Sequence, residues 1–161
     1  MTTPIDAATF RRTLGAFATG VTIATVRDAA GVDHGMTVSA FSSLSLSPPL
    51  VLVCIDHAAT FAPQVAEAHH IGVSVLGDTQ QALSQQFAQS GAVRFDGVDV
   101  VRGVTGVPLV VGAIAQLEGR ITARHDAGDH TIIIAEIVAA ASTNGAPLLY
   151  YCGQYRRLAA E

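Results

Sequence analysis

Residues 35–55 read GMTVSAFSSLSLSPPLVLVCI. With a period of two, one set of positions carries Thr37, Ser39, Phe41, Ser43, Ser45 and Ser47. The other carries Met36, Val38, Ala40, Ser42, Leu44 and Leu46. Alternation of this kind puts hydroxyls on one face of an extended chain and aliphatic groups on the other. Pro48-Pro49 stops the run, because proline donates no N–H and fixes φ. Leu50 to Ile55 is unbroken apolar sequence, as expected of a strand buried on both faces. A hydroxyl-rich ribbon beside a core strand makes a bed for a flat, polar ligand. The same pattern also arises where Ser and Thr simply fill the solvent face of a sheet.

Upstream, Val21 to Arg27 is β-branched and extended, and Asp28 to Asp33 supplies a turn, so this strand and the ribbon form a hairpin. Before it, Asp6 caps a helix with an apolar stripe at Phe10, Leu14 and Phe17, and Gly20 ends that segment. Downstream, Thr60 is placed to cap a helix through about Ala68, with Pro63 in its first turn and His69-His70 at its end. Ile71 to Leu76 is a short strand, and Asp78 with Gln81 makes a capping-box pattern for a helix through Phe87. Ser90 to Gly106 reads as a long loop. Ala113 to Arg124 alternates cleanly, turns at Ala127-Gly128-Asp129, and returns as a second long strand from His130 to Ala141. Asn144-Gly145 turns the chain into a last strand at Pro147 to Tyr151. Strands outnumber helices and hairpin-length turns join most of them. The expected class is therefore mainly β (a β-rich α+β chain): an antiparallel barrel with a few short covering helices.

The 161 residues suit one domain, 1–161, with a substantial core. Half of them are hydrophobic, 14% are charged and the mean hydropathy is +0.42, which is apolar for a small monomer. Some of the surface is expected to face another subunit. The net charge is −4 and all nine basic residues are arginine, without a cluster large enough for nucleic acid. Arg11-Arg12 and Arg156-Arg157 read as solvated ends. No apolar run approaches the roughly 18 residues of a membrane helix. MTTPIDAATFRRTL lacks the basic-then-apolar order of a secretory signal, so cytoplasmic residence is expected. Cys54 and Cys152 lie far apart in apolar contexts and are expected to be reduced, buried thiols.

The sequence holds no Gly-x-Ser-x-Gly elbow, no His-Glu-x-x-His helix, no Walker loop and no Gly-x-Gly-x-x-Gly after a strand. His125 and His130 flank the Asp126–Asp129 turn, with too few ligands nearby for zinc. His130 reads as a surface residue or a functional one, Asp129 as a turn residue or part of a site. Arg94, in Arg94-Phe95-Asp96-Gly97, is either solvent-facing or paired with a phosphate. Tyr150, Tyr151 and Tyr155 read as edge packing. Chemistry carried by a bound cofactor needs binding and orientation more than side-chain nucleophiles, and this inventory fits that economy.

Phe17-Ala-Thr-Gly20-Val21-Thr22 followed by Gly35-Met-Thr-Val-Ser-Ala-Phe41 through Pro48-Pro49 resembles the short-chain flavin reductase family. These are the small reductase components of two-component flavin-dependent monooxygenases. The resemblance continues through Ser74-Val75-Leu76, Arg94-Phe95-Asp96-Gly97, Ala127-Gly128-Asp129-His130-Thr131, Pro147 to Tyr151 and Gly153-Gln-Tyr155. It spans nearly the whole chain, in order.

The resemblance implies an antiparallel split β-barrel of the flavin-reductase type, binding FMN or FAD, usually as a homodimer with the flavin near the subunit interface. It implies that Thr37, Val38, Ser39 and Ala40 line the isoalloxazine. Ser43, Cys54, Ile55, Asp56 and Thr60 match the ribityl and phosphate side, where Arg94 is also placed. Gly128, Asp129 and His130 match the turn associated with the nicotinamide, and Tyr155 lies in the matching C-terminal segment. NADH or NADPH would then give hydride to the flavin, with the rings held at near-attack distance, roughly 3–3.5 Å. Reduced flavin would leave for a separate monooxygenase. His130 is expected to position the nicotinamide.

Two departures from the family pattern stand out: Ser74 replaces a common Asn, and Asp56-His57-Ala58-Ala59 replaces a loop that elsewhere offers a lysine or arginine. A phosphate there meets a carboxylate unless hydroxyls, His57 or Arg94 offset it, so flavin affinity is expected to be modest. Two other tasks are open to such a barrel: a flavin- or haem-binding electron carrier without turnover, and an oxidase of the pyridoxamine-phosphate type. The Gly128-Asp129-His130 turn favours the reductase, and the absence of lysine argues against a tightly held phosphorylated substrate.

Overall fold

The computed structural model describes residues 4–90 and 94–159. Asp6 is the N-cap of α1 (Ala7–Leu14), its carboxylate accepting from the Thr9 N–H at 2.9 Å. The apolar stripe of this helix is left uncovered, for none of its residues is buried. The pair β1 (Thr19–Gly20) leads into β2 (Thr22–Arg27), whose residues are buried from Thr22 to Val26. β2 returns through the Asp28–Val32 turn as β3 (Asp33–Val38), antiparallel and in the register Thr22–Val38 to Arg27–Asp33. The buried Thr22 hydroxyl donates to the Val38 carbonyl at 2.7 Å, so this polar group enters the interior satisfied.

The 35–47 ribbon is not one strand. It breaks at Ser39-Ala40 and resumes as β4 (Phe41–Leu46), which among the described residues pairs only with β5 (Pro49–Asp56) across the Ser47-Pro48 corner. The large sheet runs β3-β2-β6-β9-β10-β5-β4, with β6 at His70–Val75, β9 at Ala115–Ala127 and β10 at His130–Ser142. Its two edge strands, β3 and β4, are consecutive in the chain and separated by only two residues. The sheet must therefore curl until its edges meet at the Ser39-Ala40 corner, while remaining open along the rest of that seam. This is how a split barrel arises.

β5 differs from expectation as well. Val51, Val53 and Ile55 are buried, whereas Leu50, Leu52 and Cys54 are only half-buried, so one face packs on the core and the other borders a cleft. The interior holds Val26, Val53, Ile55, Ile71 and Ile133, covered by Phe61, Val65 and Ala68 of the α2 region (α2, Ala62–Glu67). A second cluster joins Val21, Ile23, Leu76 and Leu148 to Phe87 of α3 (Gln81–Ala88).

Both of these helices start differently from the sequence expectation. Phe61, not Thr60, is the N-cap of α2, and the Thr60 hydroxyl accepts from Arg94 Nη2 at 2.9 Å instead. Gln80 rather than Asp78 precedes α3, because the Asp78 N–H donates to the Ala146 carbonyl and holds that segment in the sheet layer. The expected loop from Ser90 to Gly106 holds β7 (Val100–Arg102), which pairs with β8 (Pro108–Val110) just past its end; residues 91–93 lie outside the described ones. The chain ends in β11 (Leu149–Tyr151) and β12 (Gln154–Arg156), with β11 also paired to β1. Cys152 lies in the turn between them at φ 49 and is exposed, so only Cys54 of the two free thiols is partly covered.

Candidate functional site

The Ser39-Ala40 corner opens onto a cleft of about 750 Å³, a size suited to a small-molecule ligand. Leu52 and Cys54 form its floor, because alternation along β5 turns them away from the core. Phe10 and Phe17, from α1 and the segment after it, form an apolar wall. At the opposite end the strand pairing sets His130 beside Asp56, and the cleft is lined there by Asp56, Asp129 and His130.

Ser39 and Ala40 are tied down through their carbonyls, which accept from the N–H groups of Phe41 and Cys54, each at 3.0 Å. Among the described residues neither the Ser39 nor the Ala40 N–H has a protein acceptor. Two adjacent donors, unclaimed on a fixed corner beside apolar walls, suit the carbonyl edge of a flat heterocycle. The residues present therefore fit an isoalloxazine.

The mouth of the cleft is built on the β9–β10 turn. Gly128 has φ +68, a left-handed conformation that a residue with a side chain adopts only under strain. His130 Nδ1 meets Asp129 Oδ1 at 2.7 Å, which holds the Asp129 carboxyl below the ordinary carboxylate range. Among the described residues the other ring nitrogen of His130 has no protein partner, and the residue lines the cleft. Burial pushes the Cys54 thiol up, so it is a neutral, weakly nucleophilic wall.

Ser39, Ala40, Cys54, Asp56, Asp129 and His130 thus share one cleft. The other residues singled out in the sequence have different surroundings. Val38 and Ile55 are buried in the core. Thr37 is half-buried and donates to the Ser84 carbonyl at 2.6 Å. Ser43 is exposed on β4. Arg94 spends its guanidinium on the carbonyls of Gly35 (2.6 Å) and Gln89 (3.0 Å) and on Thr60. With Thr60 it borders a separate cavity of about 430 Å³ beside His34 and Gly35. Tyr155 meets Ser84 Oγ at 2.8 Å through its hydroxyl and backs Tyr150, whose ring lies edge-on 5.3 Å away and lines the cleft. Phe10, Phe17, Leu52 and Ser42 also line the cleft and were not singled out from the sequence. For Leu52 the signal was available, since it lies two residues before Cys54 on the same face of β5.

A curled antiparallel sheet with a cleft of this size at its seam, apolar on one side and carrying two unclaimed backbone donors, defines a small β-sheet protein with a site suited to a flat, polar ligand. The chain belongs to the flavin reductase like domain family, whose model matches residues 14–159. It is 42% identical over 152 residues to the FMN reductase (NADH) SmoA of Agrobacterium fabrum, covering 94% of this chain and 86% of that one. It is 39% identical over 152 residues to a Rhodococcus opacus protein, the reductase component of a 4-nitrophenol 4-monooxygenase/4-nitrocatechol 2-monooxygenase, with 94% and 81% covered. Among solved structures it is similar to the NADH:FAD oxidoreductase of Streptomyces globisporus in complex with NAD and FAD fragments. That likeness has a TM-score of 0.92 and 38% identity over 99% of this chain and 96% of that chain.

Proposed function

We propose that this protein is an NADH-dependent flavin reductase that reduces FMN or FAD and hands the reduced flavin to a separate monooxygenase. One observation carries the reading: the Ser39-Ala40 corner, with its two unclaimed N–H groups, shares a cleft with His130 of the Gly128-Asp129 turn. A flavin, when bound, supplies a ring that accepts hydride from a reduced nicotinamide. The chain's own residues do the rest. The Ser39 and Ala40 N–H groups hold the polar edge of the ring and stabilise negative charge there. Leu52 and Cys54 exclude water from beneath it, and His130, oriented by Asp129, positions the nicotinamide.

The names of the relatives support NADH over NADPH. The arrangement of the cleft supports a diffusible flavin, since Arg94 is committed to protein acceptors and Asp56 stands where a phosphate would be repelled. The apolar stripe on α1 supports a homodimer, with this face and the cleft wall packed on a second copy, and the free thiols suit a cytoplasmic protein. His130→Ala should raise the Michaelis constant for NADH more than that for flavin; unchanged values for both would refute the assignment of His130.

A further inference from the structure

His57 stands in the loop just beyond β5, one residue past the cleft-lining Asp56. Its backbone N–H donates to the Asp129 carbonyl at 2.9 Å. Its ring Nε2 meets the Thr131 hydroxyl at 3.0 Å and stands 3.7 Å from Asp126 Oδ1. Thr131 Oγ1 in turn reaches Asp126 Oδ1 at 3.4 Å. One residue thus grips the β9–β10 turn on both sides of His130, while His130 itself has only the adjacent Asp129 as a side-chain partner among the described residues. Backbone pairing with Asp56 and Ala127 fixes the main chain at His130, but the side chains of the turn are exposed, Asp126 and Asp129 each at 88%, so few side-chain contacts hold it.

We propose that His57 is the positioning residue for the nicotinamide-side turn. It ties the end of the flavin-side strand to the turn that carries His130, so that the two halves of the cleft keep one spacing. The inference rests on the reductase reading above and deepens it. The position belongs to the loop after β5 that would otherwise be credited to flavin phosphate, and here its hydrogen bonds all run to the opposite turn. The side chains facing the His57 ring are Thr131 and Asp126 from the turn.

The test is steady-state kinetics with NADH and FMN on the wild type, His57→Ala, His57→Gln, Thr131→Val and the His57→Ala/Thr131→Val double variant. His57→Ala should raise the Michaelis constant for NADH roughly fivefold, the equivalent of one lost hydrogen bond. The turnover number and the Michaelis constant for FMN should move by less than about twofold. Thr131→Val should reproduce the effect, and the double variant should add nothing further, because both remove the same bond. His57→Gln, whose amide can still meet the Thr131 hydroxyl, should recover most of the loss. An FMN Michaelis constant that rises instead would place His57 on the flavin side and overturn the proposal, as would additive single effects or an unchanged NADH constant. A wild type that does not oxidise NADH would reject the reductase reading itself, a result distinct from all of these.

Discussion

The backbone N–H of Cys54 donates to the carbonyl of Ala40 at 3.0 Å. This bond fastens the corner between the two edge strands of the sheet to the strand that floors the cleft. The donors of the corner and the floor of the cleft are thereby held together, which is what preorganised binding requires.

Neighbouring residues of β5 should respond to substitution in opposite ways. Cys54→Trp puts bulk into the cleft and should raise the Michaelis constant for flavin at least about tenfold, roughly 1.4 kcal/mol of binding, with urea unfolding little changed. Ile55→Ala removes a fully buried side chain and should cost about 2–5 kcal/mol of stability in the same unfolding experiment. The reverse pattern would mean that β5 faces the other way.

Glu118 is 3% exposed, and its carboxylate accepts from the N–H groups of Val104 and Thr105 and from the Thr105 hydroxyl. Glu118→Leu should leave those donors unpaired and destabilise the fold by about 1–3 kcal/mol for each that stays buried. Because Glu118 is remote from the cleft-lining residues, the Michaelis constants should hold in the fraction that remains folded. Chemical denaturation beside kinetics checks both halves.

Acid should weaken the protein through specific carboxylates. The hydrogen bond from His34, followed by the backbone N–H of Val32, lowers the pKa of Asp28, and Asp129 and Asp6 are lowered by His130 and Thr9. Folded values below the unfolded ones mean that the stability these groups provide is complete above the ordinary carboxylate range. It is lost as the pH falls through that range to the lower folded values. Melting temperature followed against pH should decline there, and Asp28→Asn should flatten part of the decline. An identical slope for variant and wild type would rule the Asp28 contribution out.

On α1 and just after it, Phe10, Leu14 and Phe17 are 51%, 55% and 74% exposed, and Leu46 on the edge strand β4 is 95% exposed. A solvated surface this apolar is expected to be covered by a second copy. Sedimentation equilibrium should give twice the mass of one chain, and Phe10→Ser with Leu14→Ser should shift it to the monomer. A monomeric wild type would contradict the dimer.

Much of this was legible before the structure. Asp6 announced its helix, the β2–β3 hairpin followed from the β-branched Val21–Arg27 run and its glycine turn, and the β9–β10 hairpin from clean alternation ending at Gly128. The break at Ser39-Ala40 was not legible, because no glycine or proline marks it and the alternation continues in phase across it. Its cause is tertiary: β3 and β4 belong to opposite edges of a sheet that curls. The apolar run of β5 hid the cleft for a related reason, since Leu52 and Cys54 look the same whether they face a core or a ligand. The β7–β8 pair was missed because three-residue strands carry no period. Within the expected site, the corner and the Gly128-Asp129-His130 turn converge on one cleft. The commitments of Arg94 and Thr60 to each other depend on long-range contacts that no local pattern records.

The central claim is that this cleft brings a flavin and a reduced nicotinamide together. The direct measurement follows the nicotinamide absorbance band after purified protein is mixed with NADH, with and without added FMN or FAD. The account predicts NADH oxidation that requires added flavin and saturates with it. No acceleration over free flavin and NADH, with either flavin, would contradict it.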